Sequence, residues 1–233
     1  MKLKTQELTS FLDKIQMSNT QMIKEVNLKF EKDGLKVDAI TLDKVSGISG
    51  WLKTSAFKEY TELGNVGLNE LDVVIKVIKR FGEFISIEKE GNLLTIKGDS
   101  KKVDIELVDE KFISESGASP KNLEFKDTFE ISAKRMKEIF TDVQMNKDCV
   151  LNIKTSEKKT TFTNTGKYKF EHNIESPTCE GGVEVKFGQP IIDTVSVLDG
   201  NLEISVASNY PCKVMEKSEH SVITMIVSPR VDD

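Results

Sequence analysis

Two hydrophobic periodicities alternate along the chain. Short stretches with an apolar residue at every second position, bounded by Gly, Asn, Asp or Pro, predict β-strands. In other stretches the apolar residues recur every three or four positions, which predicts helices with one apolar stripe. The predicted helices cover residues 6–17, 68–81, 133–145 and 191–198, with Pro190 opening the last and Ser132 as a candidate N-cap of the third.

The predicted elements follow one order, a strand, a helix and three strands, which occurs four times. The predicted strands cover residues 1–5, 26–30, 35–40, 45–52, 65–68, 84–89, 93–97, 103–108, 123–131, 150–154, 160–163, 167–172, 183–187, 202–207, 212–216 and 222–227, with one helical turn over 54–60. Internal repetition of this kind usually controls architecture. Each helix can cover only one face of its strands, so the pattern predicts an α+β fold with continuous sheets and helices on a common side.

The repeat is interrupted once. Residues 109–122 have no hydrophobic period and are rich in Ser, Gly and Pro, which is typical of a connector. We therefore predict an N-terminal domain over 1–109, a connector over 110–122 and a C-terminal domain over 123–233.

Composition narrows the class of protein. The 233 residues are 38% hydrophobic and 30% charged, with a net charge of −5, which describes a globular chain without a generally basic surface. No apolar run approaches the ~18–20 residues that span a bilayer, and the N-terminus lacks the apolar core of a secretory signal. We expect no membrane association.

The residues that usually carry chemistry form no recognisable site. Cys149, Cys179 and Cys212 are widely spaced and odd in number, which favours a reducing compartment over a disulfide framework or a zinc motif. The histidines, His172 and His220, are too few for a zinc site of their own. We find no phosphate-binding loop, GxSxG or HExxH motif, so we expect neither a catalytic residue nor a metal or cofactor.

Three local sequences resemble the PCNA family of archaeal and eukaryotic sliding clamps. The first is the ending, 227–231 (Val-Ser-Pro-Arg-Val), where the family has Ala-Pro-Lys/Arg-Ile/Val after a hydrophobic strand. The second is Ala39 with Leu42-Asp43, followed by Ser55, Phe57 and Tyr60, like the family's Ala-Met-Asp turn and Ser-x-x-Phe-x-x-Tyr segment. The third is 120–125 (Pro-Lys-Asn-Leu-Glu-Phe), and together with the repeat the resemblance covers the whole chain.

The resemblance implies a DNA-clamp fold of two similar domains, each built from two βαβββ units, with helices lining the inside of a ring and sheets outside. It implies a DNA sliding clamp, a polymerase processivity factor that encircles double-stranded DNA without sequence preference and does no chemistry. The expected partners are a DNA polymerase, a clamp loader and other clamp-binding peptides, and the expected assembly is a homotrimer. The expected location is intracellular, in an archaeal cytoplasm or a eukaryotic nucleus, or with a viral source.

The polar faces of the helices offer candidate DNA contacts. At ~100° per residue, Lys76 lies opposite the apolar stripe of its predicted helix and Lys134 opposite that of the third. The resemblance places the basic residues of a central hole here: Lys14, Lys76, Lys79, Arg80, Lys134, Arg135 and Lys137. The fourth helix has Asp193 at the equivalent place and no basic residue, which predicts weak DNA contact.

The resemblance also assigns two protein-binding regions. The subunit interface would pair two edge strands of neighbouring subunits, formed by Val103, Asp104, Ile105, Glu106, Leu107 and Val108 and by Lys167, Tyr168, Lys169, Phe170, Glu171 and His172. The pocket for partner peptides would be lined by Leu42, Val45, Phe112, Ile113, Pro211, Ile226, Val227, Ser228 and Pro229. The connector residues 114–119 lack the apolar side chains that usually wall this pocket, so we expect an unusual peptide preference.

Two alternatives to a self-closing clamp remain open at the level of sequence. One is a subunit of a heteromeric or checkpoint-type clamp. The other is a monomeric processivity or scaffold protein of the same fold, which Asp193 on the fourth helix leaves open.

Overall fold

A computed structural model describes residues 1–18, 20, 23–113 and 123–230 of the chain. Most of the connector (114–122) and residues 231–233, including the Val231 of the resembling C-terminal sequence, lie outside the described residues, so the structural expectations placed on them are not considered further. The chain forms two compact units: one from Met1–Gly117 with Ser218–Ile223, the other from Ala118–Lys217 with Thr224–Asp233. No helix among the described residues is long and apolar enough to span a membrane.

The first unit contains two helices and two sheets. Its elements are β1 (Lys2–Lys4), α1 (Thr5–Gln16), β2 (Val26–Glu31), β3 (Gly34–Ile40), β4 (Ser46–Lys53), a 3-10 turn (Thr54–Ala56), β5 (Phe57–Glu59), β6 (Gly64–Leu68), α2 (Leu71–Ile78), β7 (Phe84–Glu90), β8 (Leu93–Lys97), β9 (Lys102–Glu106) and a 3-10 turn (Glu110–Phe112). One sheet has the order β5-β1-β7-β8-β9, and β4, β3, β2 and β6 lie side by side in the other.

The second unit repeats this plan. Its elements are β10 (Asp127–Ser132), α3 (Ala133–Val143), β11 (Leu151–Ser156), β12 (Lys159–Asn164), β13 (Glu171–Glu175), β14 (Glu184–Phe187), α4 (Gln189–Val195), β15 (Asn201–Val206), β16 (Cys212–Lys217) and β17 (Ser221–Val227). One sheet has the order β13-β12-β11-β14, and β10, β15, β16 and β17 lie side by side in the other. The predicted α+β class and the fourfold strand, helix and three-strand order are confirmed, with β5 as one added strand.

Each unit buries the apolar stripes of its helices. Glycine at position 50 of β4 leaves room for the side chains of Phe11 and Ile15 from α1, which a Cβ there would meet. In the second unit the rings of Phe129 and Phe162, both almost fully buried, meet edge to face with centroids 5.8 Å apart. The predicted helix stripes are therefore core positions, as amphipathic helices require.

Several predicted boundaries were wrong. Helix α2 begins at Leu71 rather than 68, because Glu70 adopts a left-handed conformation (φ 46°) that a helix cannot continue, and it ends at Ile78. Only Thr54–Ala56 of the predicted helical turn is helical, because the following residues pair with β1 as strand β5. The predicted cap is confirmed: Ser132 Oγ accepts a hydrogen bond from the backbone N–H of Arg135 at 3.2 Å.

Candidate functional site

The basic residues predicted on the second helix all lie at the surface around its C-terminal end. Lys76 is on the exposed face of α2, opposite the buried Leu71, Val74, Ile75 and Ile78, as its position on the helical wheel predicts. Lys79 and Arg80 follow the helix rather than lying within it, because it ends at Ile78, and both are exposed. Cations at a helix C-terminus are favourable because the last carbonyl groups carry partial negative charge.

Most of these cations have an acidic neighbour. Lys76 Nζ donates to Asp72 Oδ2 at 3.0 Å, one turn earlier on α2, and this hydrogen bond holds the pKa of the Asp72 carboxyl below its ordinary value. Lys79 Nζ lies 2.8 Å from Asp13 Oδ2 and so links α2 to α1. Arg80 has no side-chain hydrogen bond or ion pair with any residue that the structure describes. The local positive charge is therefore partly compensated within the unit.

The third helix shows the same arrangement. Lys134 is exposed, whereas Arg135 and Lys137 are half-buried beside the apolar stripe. Lys137 Nζ lies 3.3 Å from Asp199 Oδ1, and Arg135 Nη1 donates to Glu138 Oε2 at 2.8 Å. The Arg135 hydrogen bond lowers the pKa of Glu138. Exposed pairs of this kind are screened by solvent and contribute little to stability, so an incoming phosphate can compete for the cation.

A hydrogen-bonded histidine joins α3 to the sheet. Arg135 Nη2 lies 3.2 Å from His172 Nδ1, and His172 Nε2 lies 2.7 Å from Asp142 Oδ2. Because the guanidinium can only donate, Nδ1 accepts and Nε2 carries the proton that it donates to Asp142. These hydrogen bonds link β13 to α3, and sequence reasoning missed them because His172 lies 30 residues or more from both of its partners on α3.

The other two helices contribute little positive charge. Lys14 lies in the last turn of α1, and Asp13 beside it binds Lys79. In α4, Asp193 Oδ1 accepts a hydrogen bond from Gln189 Nε2 at 2.7 Å. Helix α4 carries no basic residue. The candidate DNA-facing cations are thus concentrated on α3 and on and just after α2.

The strands predicted to form the subunit interface lie at sheet edges. In the described chain, β9 pairs only with β8, and β13 pairs only with β12. Leu107 and Val108 are outside β9: the Leu107 N–H donates to Asn92 O at 2.9 Å, and the Val108 N–H donates to Gly67 O at 3.0 Å. An edge strand presents unpaired backbone groups to another chain, which suits an intermolecular contact.

The second of these strands begins four residues later than predicted, at Glu171 rather than at 167. Asparagine side chains form hydrogen bonds with the backbone of the residues before Glu171. Asn146 Nδ2 and Asn164 Nδ2 donate to Tyr168 O at 2.6 and 2.8 Å. Asn146 Oδ1 accepts from the Tyr168 N–H at 3.0 Å, and Asn164 Oδ1 accepts from the Phe170 N–H at 2.7 Å. A segment bonded to side chains cannot join the strand ladder, although its alternation of polar and aromatic residues resembles a strand.

In the first unit, the residues predicted for the partner pocket include two large exposed side chains. Leu42 is 73% exposed at the tip of a turn in which Asp43 Oδ1 accepts from the Val45 N–H at 3.0 Å. A cavity of about 280 Å³ lies beside it and is also lined by Ile23, Ile40 and Thr41. Phe112 is 77% exposed, whereas Ile113 is buried.

In the second unit, the predicted pocket residues divide between core and surface. Ile226 and Val227 are buried in β17, and Pro211, Ser228 and Pro229 are half-buried. Pro229 lines a groove of about 760 Å³ beside β14, where the Arg230 N–H donates to Lys186 O at 2.8 Å. Pro229 therefore borders a surface groove, whereas Ile226 and Val227 belong to the core.

The described residues contain no group of three or more His, Cys, Asp or Glu side chains placed to hold a metal ion. Burial raises the pKa of the Cys212 thiol to about 12, so this thiol is a poor nucleophile. Among the described residues, the features that bear on function are exposed cations, free sheet edges, apolar surface residues, and the cavity and groove beside Leu42 and Pro229.

Comparison with known proteins gives two curated relatives, both DNA polymerase sliding clamps of archaea. The chain is 27% identical over 135 residues to that of Methanothermobacter thermautotrophicus, a match covering 55% of this chain and 54% of the relative. It is 26% identical over 135 residues to that of Methanobrevibacter smithii, with the same coverage. The chain thus matches about half the length of these relatives, and no family model matches it.

Solved structures extend the match to the whole chain. A structure of the C-terminal region of FEN-1 bound to A. fulgidus PCNA aligns with a TM-score of 0.87 at 16% identity, covering 100% of this chain and 98% of that one. PCNA of Entamoeba histolytica aligns with a TM-score of 0.80 at 18% identity, covering 99% and 98%. The PCNA2-PCNA3 complex of Sulfolobus tokodaii aligns with a TM-score of 0.77 at 18% identity, covering 100% of this chain and 99% of that one.

These matches define the class of fold. The chain has the fold of PCNA from end to end, and the predicted resemblance to PCNA-type sliding clamps is confirmed.

Proposed function

We propose that this protein is a DNA sliding clamp, a ring that encircles duplex DNA and tethers a polymerase and other replication or repair proteins. It acts by topology and does no chemistry of its own. It works inside the cell, where DNA is replicated. The observation that carries the proposal is the end-to-end fold match to PCNA in a chain whose sequence relatives are DNA polymerase sliding clamps.

The proposed DNA contact is made by basic residues on, or directly after, helices that line the inside of the ring: Lys14, Lys76, Lys79, Arg80, Lys134, Arg135 and Lys137. The acids beside Lys76, Lys79, Arg135 and Lys137 support a weak contact, because a phosphate that binds one of these four cations must compete with a carboxylate. A salt-sensitive, sequence-independent attraction of this kind holds DNA in the hole without stopping it from sliding. Retention then comes from ring closure rather than from affinity.

Partner proteins are proposed to bind through the exposed Leu42 and Phe112 and the groove beside Pro229. Exposed large apolar side chains are the usual anchors of peptide-recognition sites. The A. fulgidus PCNA structure contains the C-terminal region of FEN-1, and we infer that this chain likewise receives a short segment of its partners. We further propose that the domains are 1–109 and 123–233, with 110–122 as the connector.

Subunits are proposed to join through the free edges of β9 and β13 into a homotrimer. The fold match to the PCNA2-PCNA3 complex supports a second candidate, a subunit of a heteromeric ring. The mass of the purified protein decides between them: about three times 26.2 kDa favours the homotrimer, whereas a monomer that assembles only with a second chain favours the heteromer.

The proposed function is tested by primer extension on long templates with the replicative polymerase and clamp loader of the source organism. The wild-type chain is expected to lengthen the products, and Lys76→Ala, Lys79→Ala and Lys134→Ala combined should shorten them while leaving the assembly mass unchanged. A matched triple variant, Lys32→Ala, Lys154→Ala and Lys159→Ala, removes three exposed lysines outside the helices. Equal products from both triple variants would refute the assigned DNA surface, and no effect of the wild-type chain would refute the function.

A further inference from the structure

Strands β1 and β10 hold equivalent places in the two units, because each leads directly into a helix. In each unit the first helical residue donates its backbone N–H to the carbonyl just before the neighbouring strand, at 2.9 Å for Thr5 and 2.8 Å for Ala133. Aligning the units on these two hydrogen bonds makes Lys2 of β1 equivalent to Glu130 of β10.

The two strands differ at their second edge. In the first unit β5 pairs antiparallel with β1 and sets Glu59 opposite Lys2. Strand β5 lies between β4 and β6, within residues 54–63. The equivalent strands of the second unit, β13 and β14, are joined by residues 176–183, which form no helix or strand. Within the described chain, β10 therefore pairs only with β15.

The free edge of β10 has backbone groups available for a further strand. Hydrogen-bonded and non-bonded residue pairs alternate in an antiparallel ladder. The hydrogen bond of Ala133 continues the register of β10 with β15, so Phe129 bonds toward β15, whereas Thr128 and Glu130 direct their backbone groups outward. Thr178 Oγ1 donates to Thr128 O at 2.6 Å, which agrees with this direction. Glu130 is therefore the residue whose N–H and C=O an added strand can reach.

A cavity of about 640 Å³ lies along this edge and has an acidic lining. Strand β10 forms one wall, residues 175–178 form another, and β15 contributes Glu203. The lining residues include the carboxylates of Glu130, Glu175 and Glu203 and no lysine or arginine. A segment that enters this cavity is therefore favoured if it carries positive charge.

Glu130 also faces a carboxylate within its own sheet. It is opposite Glu203 in a non-hydrogen-bonded pair, the kind in which side chains lie closest. Like charges directly opposite destabilise a sheet, whereas opposite charges stabilise it. Glu203 is compensated by Lys217 at 3.5 Å and Lys213 at 4.0 Å, but Glu130 has no ion pair with any residue that the structure describes. A cation beside Glu130 would relieve this repulsion.

We propose that the β10 edge binds a short extended segment of a partner protein, which adds a strand to β10 as β5 does to β1 and places a lysine or arginine opposite Glu130. In strand addition of this kind, backbone hydrogen bonds provide affinity and side chains provide specificity. The Lys2–Glu59 pairing of the first unit is the template, with the two charges exchanged. The site is separate from the partner surface proposed above, and it does not depend on the proposed function.

Three observations select β10 among the sheet edges. The equivalent edge of the first unit is occupied by β5, the acidic cavity lies beside β10, and Glu130 has a carboxylate but no cation opposite it. Two other edges already have backbone partners. On β14, Lys186 O accepts from the Arg230 N–H at 2.8 Å, and on β6, Gly67 O accepts from the Val108 N–H at 3.0 Å.

Two synthetic peptides that differ at one position test the proposal. Both contain residues 54–61 of this chain, the segment that includes β5, and one of them carries Glu59→Lys. By fluorescence anisotropy, we expect the Glu59→Lys peptide to bind the intact chain about fivefold to thirtyfold more tightly, because attraction to Glu130 replaces repulsion. Glu130→Lys in the chain should reverse this preference. The control Glu90→Lys, which changes an exposed carboxylate at the end of β7 by the same charge, should leave it unchanged.

Amide hydrogen exchange locates the bound peptide. The Glu130 N–H should exchange more slowly when the Glu59→Lys peptide is added, whereas the Phe129 N–H, already bonded toward β15, should be unaffected. Binding of neither peptide, equal binding of both, or a preference that survives Glu130→Lys would overturn the proposal. Protection of the Glu130 N–H without peptide would also overturn it, because this chain or a second copy would then already cover the edge. Primer extension reports separately on the proposed function, because Glu130→Lys leaves the helix cations unchanged.

Discussion

The Nζ atom of Lys79, just after α2, lies 2.8 Å from Oδ2 of Asp13 on α1, although 66 residues separate them in the sequence. Lys79, which we propose to contact DNA, is therefore already paired with a carboxylate of its own unit. We expect Asp13→Asn to release Lys79 for phosphate binding. The slope of log K against log salt concentration should steepen by about 0.9, the contribution of one added phosphate contact.

The control for this experiment is Glu59→Gln, which removes one exposed carboxylate on strand β5, away from the helices. It should leave the salt slope unchanged. If the two variants change the slope equally, Lys79 contributes only to the overall charge.

The Lys76–Asp72 pair predicts a change in protonation when DNA binds. The hydrogen bond from Lys76 depresses the pKa of Asp72 below its ordinary value of 3.8, so its stabilising contribution is present above that value and is lost as the pH falls through the depressed pKa. A phosphate that takes Lys76 removes this hydrogen bond and adds negative charge nearby. We therefore expect the pKa of Asp72 to rise when DNA is added, as measured by NMR titration of its carboxyl carbon.

In the same titration Glu88, held at a low pKa by Lys97 on the β7–β8 hairpin, serves as the internal reference. Its pKa should not move. An unchanged pKa at Asp72 under saturating DNA would show that Lys76 keeps its carboxylate partner.

Phe112 and Ile113 are adjacent but have opposite environments, since the first is 77% exposed and the second is 7% exposed. Phe112→Ala should change the free energy of unfolding by less than about 0.5 kcal/mol and weaken binding of partner peptides. Ile113→Ala should cost about 2–5 kcal/mol of stability, because it leaves a cavity in the core. Urea denaturation and peptide titration by calorimetry measure the two effects, and normal peptide binding by Phe112→Ala would remove this residue from the partner site.

The elements that sequence could predict are those with a long, regular period. The stripes of α1 and α3 and the alternation in β3 and β4 each determine a buried face, so their positions agree with the structure within a few residues. The fold class could also be predicted from the repeat, because that prediction requires only the order of the helices and strands.

What sequence could not predict depends on partners distant along the chain. The segment before β13 alternates like a strand, yet Asn146, 22 residues away, takes its backbone groups. The ion pair of Lys137 with Asp199 spans 62 residues and has no local signal. Strand β5 has only three residues, too few to show a period.

Retention on DNA without tight binding is most directly tested on linear duplex attached to a bead at one end. The chain is allowed to thread from the open end, that end is then blocked with a bulky protein cap, and the beads are washed in high salt. A clamp that holds DNA by topology should stay bound through the wash and leave when a restriction enzyme cuts off the cap. Loss in the salt wash, or retention that does not depend on the cap, would contradict encirclement.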